Sequence, residues 1–90
     1  MTKNKTTWNY RVIKMPDQMK FKSDTQTYSW GIYSVYYTKD KPTSWSENPM
    51  FAIGENWNEL CEDYHRMFQA FTQPTLEVRG NKLVDIGTFN

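Results

Sequence analysis

Cysteine and histidine are almost absent from this chain, which has one of each, Cys61 and His65, among its 90 residues. A single cysteine excludes an intrachain disulfide and is typical of proteins from a reducing compartment. The two residues lie four apart, and such a pair can form a nucleophile with its base or half of a metal site. No other cysteine or histidine is available to complete a metal site, and we interpret Cys61 as a small core residue and His65 as a residue at the flank of the helix. We therefore predict no metal site, no cofactor and no catalytic residue.

Long hydrophobic runs are absent too. No stretch approaches the ~20 apolar residues of a membrane-spanning helix, and the basic, polar start MTKNKTTWNY is not a secretory signal. A glycine-rich phosphate loop is also missing, since Gly54 precedes a glutamate that would repel phosphate and Gly80 stands alone. We expect a cytoplasmic protein that is not an enzyme and does not act at a membrane.

Aromatic residues, in contrast, are abundant: the chain has 4 Trp, 6 Tyr and 5 Phe. Ninety residues suffice for one domain with one core, and large rings bury much area per residue in a core of that size. We predict a disordered N-terminal arm at residues 1–7, a single α+β domain at 8–86 and a C-terminal tail at 87–90.

Three strands are predicted in the first half of the chain. Residues 8–15 alternate between the two faces of a sheet, and residues 27–38 are dense in β-branched and aromatic residues. The short turn at residues 39–42 predicts that the next strand, residues 43–53, pairs antiparallel with the second. Because proline has no N–H to donate, this third strand should be irregular near Pro49.

One amphipathic helix is predicted next. Asn56 is a suitable N-cap with Glu59 three residues later, and Pro74 ends the helix. Leu76 and Val78 then alternate as a fourth strand, and Gly80-Asn81 could form a hairpin with residues 82–86. The predicted fold is α+β: an antiparallel three- to four-stranded sheet with one helix packed on one face, in the order βββαβ, with room for a final strand.

The apolar stripe of the helix is predicted to be its core face. Its members follow helical spacing and should pack against apolar residues of the first two strands. The stripe comprises Trp57, Leu60, Cys61, Tyr64, Met67, Phe68 and Phe71. Its residues predicted to contact the strands are Trp57, Leu60, Tyr64, Phe68 and Phe71, and their predicted partners are Tyr10, Val12, Trp30 and Ile32.

Four segments resemble a family of small uncharacterised bacterial and phage proteins: YRVI (10–13), GIYSVYY (31–37), KPTSWSENP (41–49) and GENWNEL (54–60). The strand order and the approach to the helix are more distantly similar to the N-terminal domain of HicB-like antitoxins, although Pro49-Met50-Phe51 replaces the usual proline–glycine–cysteine run. The resemblance implies a fold and the binding of protein partners, and no catalytic residue. In a phage, it would suit a host-directed inhibitor or accessory factor in the host cytoplasm.

The second strand has apolar residues on both faces, whereas one helix covers only one face. The uncovered face could be covered by residues 16–26, by the C-terminal tail or by another chain; alternatively, tyrosine is simply a good strand residue whose hydroxyl stays in water. We predict a noncatalytic protein-interaction module that binds a protein partner or forms a homodimer. The predicted contact residues are Tyr33, Val35 and Tyr37, extended by Trp45 of the neighbouring strand.

Charge is unevenly distributed along the chain. Residues 1–45 contain eight Lys/Arg and three Asp/Glu, and residues 46–90 contain three Lys/Arg and seven Asp/Glu, giving net charges of +5 and −4. Lysines among aromatic strands also suit single-stranded nucleic acid, through phosphate contacts and base stacking. This is the alternative function, with Arg11, Lys14, Lys39 and Lys41 as the candidate nucleic-acid-binding residues.

Overall fold

The computed structural model describes residues 6–17 and 26–88. Its elements follow in the order β1 (Thr6–Pro16), β2 (Tyr28–Thr38), β3 (Lys41–Trp45), α1 (Trp57–Phe68), a 3₁₀ turn (Gln69–Thr72), β4 (Thr75–Arg79) and β5 (Lys82–Gly87). The α+β class is thereby confirmed. Of the predicted arm at 1–7, only the last two residues are described, and they begin β1; the predicted tail at 87–90 is described only to residue 88.

The five strands form one sheet in the order β3-β2-β1-β4-β5. The prediction of three to four antiparallel strands was wrong in two respects, because β5 is a full strand and β4 runs parallel to β1. The physical reason lies in the path of the chain. After β3, the segment carrying α1 crosses two strands and returns the chain to the free edge of β1, and a crossover through a helix joins strands that run in the same direction.

Two tight turns set the hairpins that were expected from sequence. Lys39 and Asp40 both have positive φ, as in a type I′ turn, and connect β2 to β3. Gly80 has positive φ at the first central position of the turn between β4 and β5. The third strand is regular only as far as Trp45, beyond which the Met50 N–H still donates to the Ile32 carbonyl oxygen at 2.8 Å.

The core lies on the concave side of the sheet. Ile13, Tyr33, Val35 and Leu76 form a buried cluster there, and Trp45 and Leu83 are among the partly buried residues packed against it. The sheet is curled so that β3 and β5, its two edges, come close to each other. One sheet therefore encloses a core without a helix on that side.

Helix α1 lies against the convex side and begins as the sequence predicts. The Asn56 side chain accepts a hydrogen bond from the Glu59 N–H at 2.9 Å, and the Glu59 carboxylate accepts one from the Glu55 N–H at 3.0 Å. The buried helix residues, however, are Asp63 and Met67, followed by Ala70 of the 3₁₀ turn. This is a narrow line at i, i+4 and i+7.

Met67 of the predicted stripe is buried, but the prediction that Trp57, Leu60, Tyr64, Phe68 and Phe71 form the core face was wrong. The helix residues assigned to the core are exposed, and even Leu60 is 37% exposed. The predicted strand partners also differ, since Val12 is buried while Trp30 is 52% exposed. The reason is that the curled sheet forms its main core on its concave side, so the helix covers only a narrow part of the convex side.

Candidate interaction surface

A buried carboxylate attaches α1 to the sheet. Asp63 Oδ1 accepts a hydrogen bond from the Tyr10 hydroxyl at 3.0 Å, and Asp63 Oδ2 accepts one from the Ile53 N–H at 3.0 Å. Arg66 also donates to Asp63 Oδ1, at 3.3 Å. One side chain thus joins the helix, β1 and the loop before the helix, and sets which helix face turns inward.

The same contacts move the pKa values of both side chains. The Ile53 N–H is the largest influence lowering the pKa of Asp63, and the Tyr10 hydroxyl and Arg66 lower it further against the opposing effect of burial. The pKa of Tyr10 is raised, first by burial and then by its hydrogen bond to the Asp63 carboxylate. Both shifts favour the state in which the phenol donates to an ionised Asp63.

The loop before the helix is packed closely against the first turn of α1. A Cβ atom at Gly54 would lie 2.4 Å from the Leu60 backbone nitrogen, a distance that no side chain can occupy. Glycine is therefore required by the close approach of two backbone segments. The loop residues Met50, Phe51 and Ile53 are consequently held next to α1, with their side chains exposed.

Five aromatic side chains lie exposed on α1, the 3₁₀ turn and this loop, and we call them the aromatic surface. They are Trp57 (76% exposed), Phe51 (73%), Tyr64 (65%), Phe68 (58%) and Phe71 (50%). At roughly 200 Å² for each side chain, they expose about 650 Å² together. Apolar patches on monomeric proteins are usually no larger than about 300–600 Å² and those of this size often mark a contact site.

A cavity of about 360 Å³ opens beside this surface, between α1 and strand β2. Its walls are almost entirely apolar, and Phe68 and Phe71 meet edge to face there with ring centroids 5.6 Å apart. The lining residues are Ile32, Met50, Phe51, Ala52, Tyr64, Met67, Phe68 and Phe71. A cavity of this size, with few polar groups, suits an apolar side chain from a partner.

The predicted contact residues do not lie on this surface. Tyr33 and Val35 are 5% and 0% exposed in the concave core, so their side chains are not available to a partner. Tyr37 is partly buried, and its hydroxyl donates to Asn9 Oδ1 at 2.8 Å; Trp45 packs against the core cluster. The expectation of an exposed face needs this correction because the chain's own curled sheet covers it.

The predicted nucleic-acid-binding residues are not brought together. Arg11 is buried and donates to the Pro74 carbonyl oxygen, whereas Lys14 lies on the opposite face of β1, with Nζ 4.4 Å from the Tyr28 ring centroid. Lys39 and Lys41 lie at the other end of β2, since Lys14 pairs with Trp30 and Lys41 pairs with Thr38. Trp30 and Thr38 are eight positions apart along β2, a distance of about 27 Å.

Cys61 and His65 lie exposed on α1. Within residues 6–17 and 26–88, no three histidine, cysteine, aspartate or glutamate side chains come together in a way that could hold a metal ion. In the same ranges, no helix is both long enough and apolar enough to span a membrane.

The sequence predicts the shared helix face of Trp57, Tyr64 and Phe68, but this face is exposed and does not form the predicted core. Their helical spacing indicates a common face and cannot show what covers it. Phe51 and Ile53 lie in the loop before α1 and not in the predicted strand at residues 43–53, because β3 ends at Trp45. The one available signal was Asp63, a carboxylate next to the stripe, whose burial turns the aromatic residues outward.

Comparisons with models of known protein families, with curated proteins and with solved structures found no match.

Proposed function

We propose that this protein is a noncatalytic interaction module that binds another protein through the aromatic surface. The observation that carries the proposal is the exposure of Trp57, Phe51, Tyr64, Phe68 and Phe71 on adjoining parts of the fold. Tryptophan and tyrosine are enriched among the residues that dominate binding energy at protein interfaces. They are therefore suitable anchors.

The energetics favour coverage of this surface. Removing about 650 Å² of apolar area from water is worth on the order of 15 kcal/mol at about 25 cal/mol per Å². Association also costs translational and rotational freedom and side-chain entropy, so only a part of that free energy appears as affinity. A partner that fills the cavity beside α1 would bury further apolar area and so add to the favourable part.

The shape and charge of the surface indicate the kind of partner. An apolar cavity along a helix suits an apolar side chain projecting from another helix, as in helix-in-groove recognition. Glu55, Glu59 and Glu62 are exposed on or next to the first half of α1 and favour basic residues at the rim of the partner. A small host-directed inhibitor or accessory factor, the role suggested by the resemblance to phage proteins, could act through such a contact.

The test compares binding by the wild-type chain and by two variants in an extract of the native host. Trp57→Ser removes an anchor of the aromatic surface, whereas Trp8→Ser removes a 52% exposed tryptophan that lines a different cavity with Arg66 and Gln69. We expect a partner that is retained by the wild type and by Trp8→Ser and lost by Trp57→Ser. The proposal would be excluded if every protein retained by the wild type were also retained by Trp57→Ser. It would also be excluded if no protein were retained and the chain did not self-associate.

Single-stranded nucleic acid binding is the second candidate, favoured by one observation. Tyr28 and Trp30 are exposed on the convex side near the end of β2, and Lys14 Nζ lies within 6 Å of both ring centroids, at 4.4 and 5.9 Å. Such a pair could stack on bases while the lysine contacts a phosphate. Quenching of tryptophan fluorescence by an oligonucleotide at low salt, lost in Trp30→Ser and weakened steeply by added salt, would support it. Absence of binding at about 50 mM salt would exclude it.

A further inference from the structure

Trp57 and the apolar cavity lie at opposite ends of the same helical segment. Trp57 is the first residue of α1 and the most exposed of the large apolar residues described. Phe71, in the cavity wall, lies 14 residues later, about 21 Å along a helix axis. The exposed ring of Trp57 and the apolar cavity therefore lie on the same surface, about 21 Å apart.

Two copies of the chain related by a twofold axis could each place Trp57 in the cavity of the other copy. If two α1 helices pack antiparallel about a twofold axis near Tyr64, the Trp57 of each copy comes to the cavity end of the other. An interface of this kind is isologous, so each complementary contact is made twice. We infer that the aromatic surface joins two copies of this chain in an antiparallel helix pair, an inference that rests on the proposed protein-binding function and names its partner.

The spacing of the exposed residues supports a helix as the occupant. On α1, Trp57, Cys61, Tyr64 and Phe68 follow at intervals of four, three and four residues, and Phe71 lies three residues further on, in the 3₁₀ turn. Intervals that average 3.5 residues keep one line of side chains facing a partner helix, with each side chain inserted between those of the partner. The buried line of Asp63, Met67 and Ala70 lies on another face of the segment, so both contacts can be made at once.

The available area also fits a dimer. A standard interface buries about 800 Å² on each partner. The five rings of the aromatic surface provide about 650 Å² of this area, and the exposed parts of Met50, Ile53 and Leu60 lie beside them. The antiparallel arrangement also places the negative end of each helix dipole near the positive end of the other.

The first experiment measures self-association of the full chain by light scattering and sedimentation over a range of concentrations. We expect a species of twice the 10.8 kDa chain mass. Trp57→Ser should raise the dissociation constant by at least about 30-fold, as expected for an anchor residue, while Trp8→Ser should leave it nearly unchanged. Far-UV circular dichroism of both variants checks that the fold persists, which we expect because both tryptophans are exposed.

Mixing two variants tests the arrangement itself. Trp57→Ser keeps the cavity and lacks the anchor, whereas Phe71→Ser keeps the anchor and damages the cavity. Alone, neither has an intact contact, but a mixed dimer has one, so the mixture should associate more tightly than either variant. A mixture no better than its components would overturn the antiparallel arrangement.

The failure of this inference can be distinguished from the failure of the proposed function. A wild-type chain that stays monomeric up to about 0.2 mM excludes self-association, because it sets a dissociation constant too weak for a specific dimer. If another protein is nevertheless retained and is lost on Trp57→Ser, the protein-binding function stands with a different partner. If neither is observed, both proposals fall.

Discussion

The Tyr10 hydroxyl donates a hydrogen bond to Asp63 Oδ1 at 3.0 Å and thereby joins the first strand to the middle of the helix. The other oxygen of the same carboxylate accepts from the Ile53 N–H. This contact fixes the first member of the buried helix line, which continues through Met67 and Ala70, so the aromatic residues on the adjacent helix face point outward. The position of the aromatic surface therefore depends on one buried hydrogen-bonding group.

Removing this contact should destabilise the fold. Tyr10→Phe deletes the donor and should lower the free energy of unfolding by about 1–2 kcal/mol; Asp63→Ala also leaves the Ile53 N–H without its acceptor and should cost about 2–3 kcal/mol. Urea unfolding of both variants and of the double variant measures the coupling between them. If the two losses add without coupling, the hydrogen bond does not contribute to stability in solution.

Acid should weaken the same contact. The pKa of Asp63 is lower in the folded chain than in the unfolded one, so the unfolded chain binds more protons at low pH, and the associated stability is present above about pH 4 and is lost as the pH falls through the depressed value. Unfolding of the wild type should show this loss, and Asp63→Asn should show less of it. The pKa of Asp17 is also lowered, chiefly by its hydrogen bond from Ser29, so part of the acid-dependent loss of stability belongs to Asp17. The variant Asp17→Asn measures this part separately. Identical pH profiles for the wild type and Asp63→Asn would contradict the assignment.

Core and helix substitutions should have unequal effects. Ile13 is fully buried in the concave cluster, so Ile13→Ala should cost about 2–5 kcal/mol. Leu60 is 37% exposed, so Leu60→Ala loses less buried area and should cost only about 1–2 kcal/mol. Thermal unfolding at low protein concentration measures both. If Leu60→Ala lowered the free energy of unfolding as much as Ile13→Ala does, Leu60 would be a core residue, as predicted from the sequence.

Gly54 should tolerate no side chain. Gly54→Ala forces the loop away from the Leu60 backbone and should cost about 1–3 kcal/mol, the usual range for overpacking. It should also weaken partner binding, since Phe51 and Ile53 move with the loop. Gly80→Ala is the control: its added methyl group meets open space, so it should cost only the backbone penalty of a positive φ, about 1 kcal/mol, with binding unchanged.

The turn between β2 and β3 offers a stabilising change. Lys39 and Asp40 have φ values of 54° and 66°, which are unfavourable for residues with a Cβ atom. Replacing them by Asn-Gly, the preferred pair for a type I′ turn, should raise the free energy of unfolding by about 1–2 kcal/mol. A lower urea midpoint in this variant would show that the turn has another geometry.

Local features were predicted well from the sequence because their causes are local. Alternation identified the first strand, and β-branched and aromatic residues identified the second. The turns were predicted at residues 39–42 and 80–81, although β3 already begins at Lys41, and Asn56 with Glu59 marked the start of the helix. Each of these signals arises from residues a few positions apart.

The candidate site was decided by contacts between residues far apart in the chain. The sequence by itself determined that Tyr33 and Val35 share one strand face and that Trp57, Tyr64 and Phe68 share one helix face. Only the tertiary structure decided which apolar face is covered: the curled sheet buries Tyr33 and Val35, and Asp63 bonded to Tyr10, 53 residues away, turns the helix stripe outward. Periodicity specifies a face, but burial depends on what the rest of the chain brings against it.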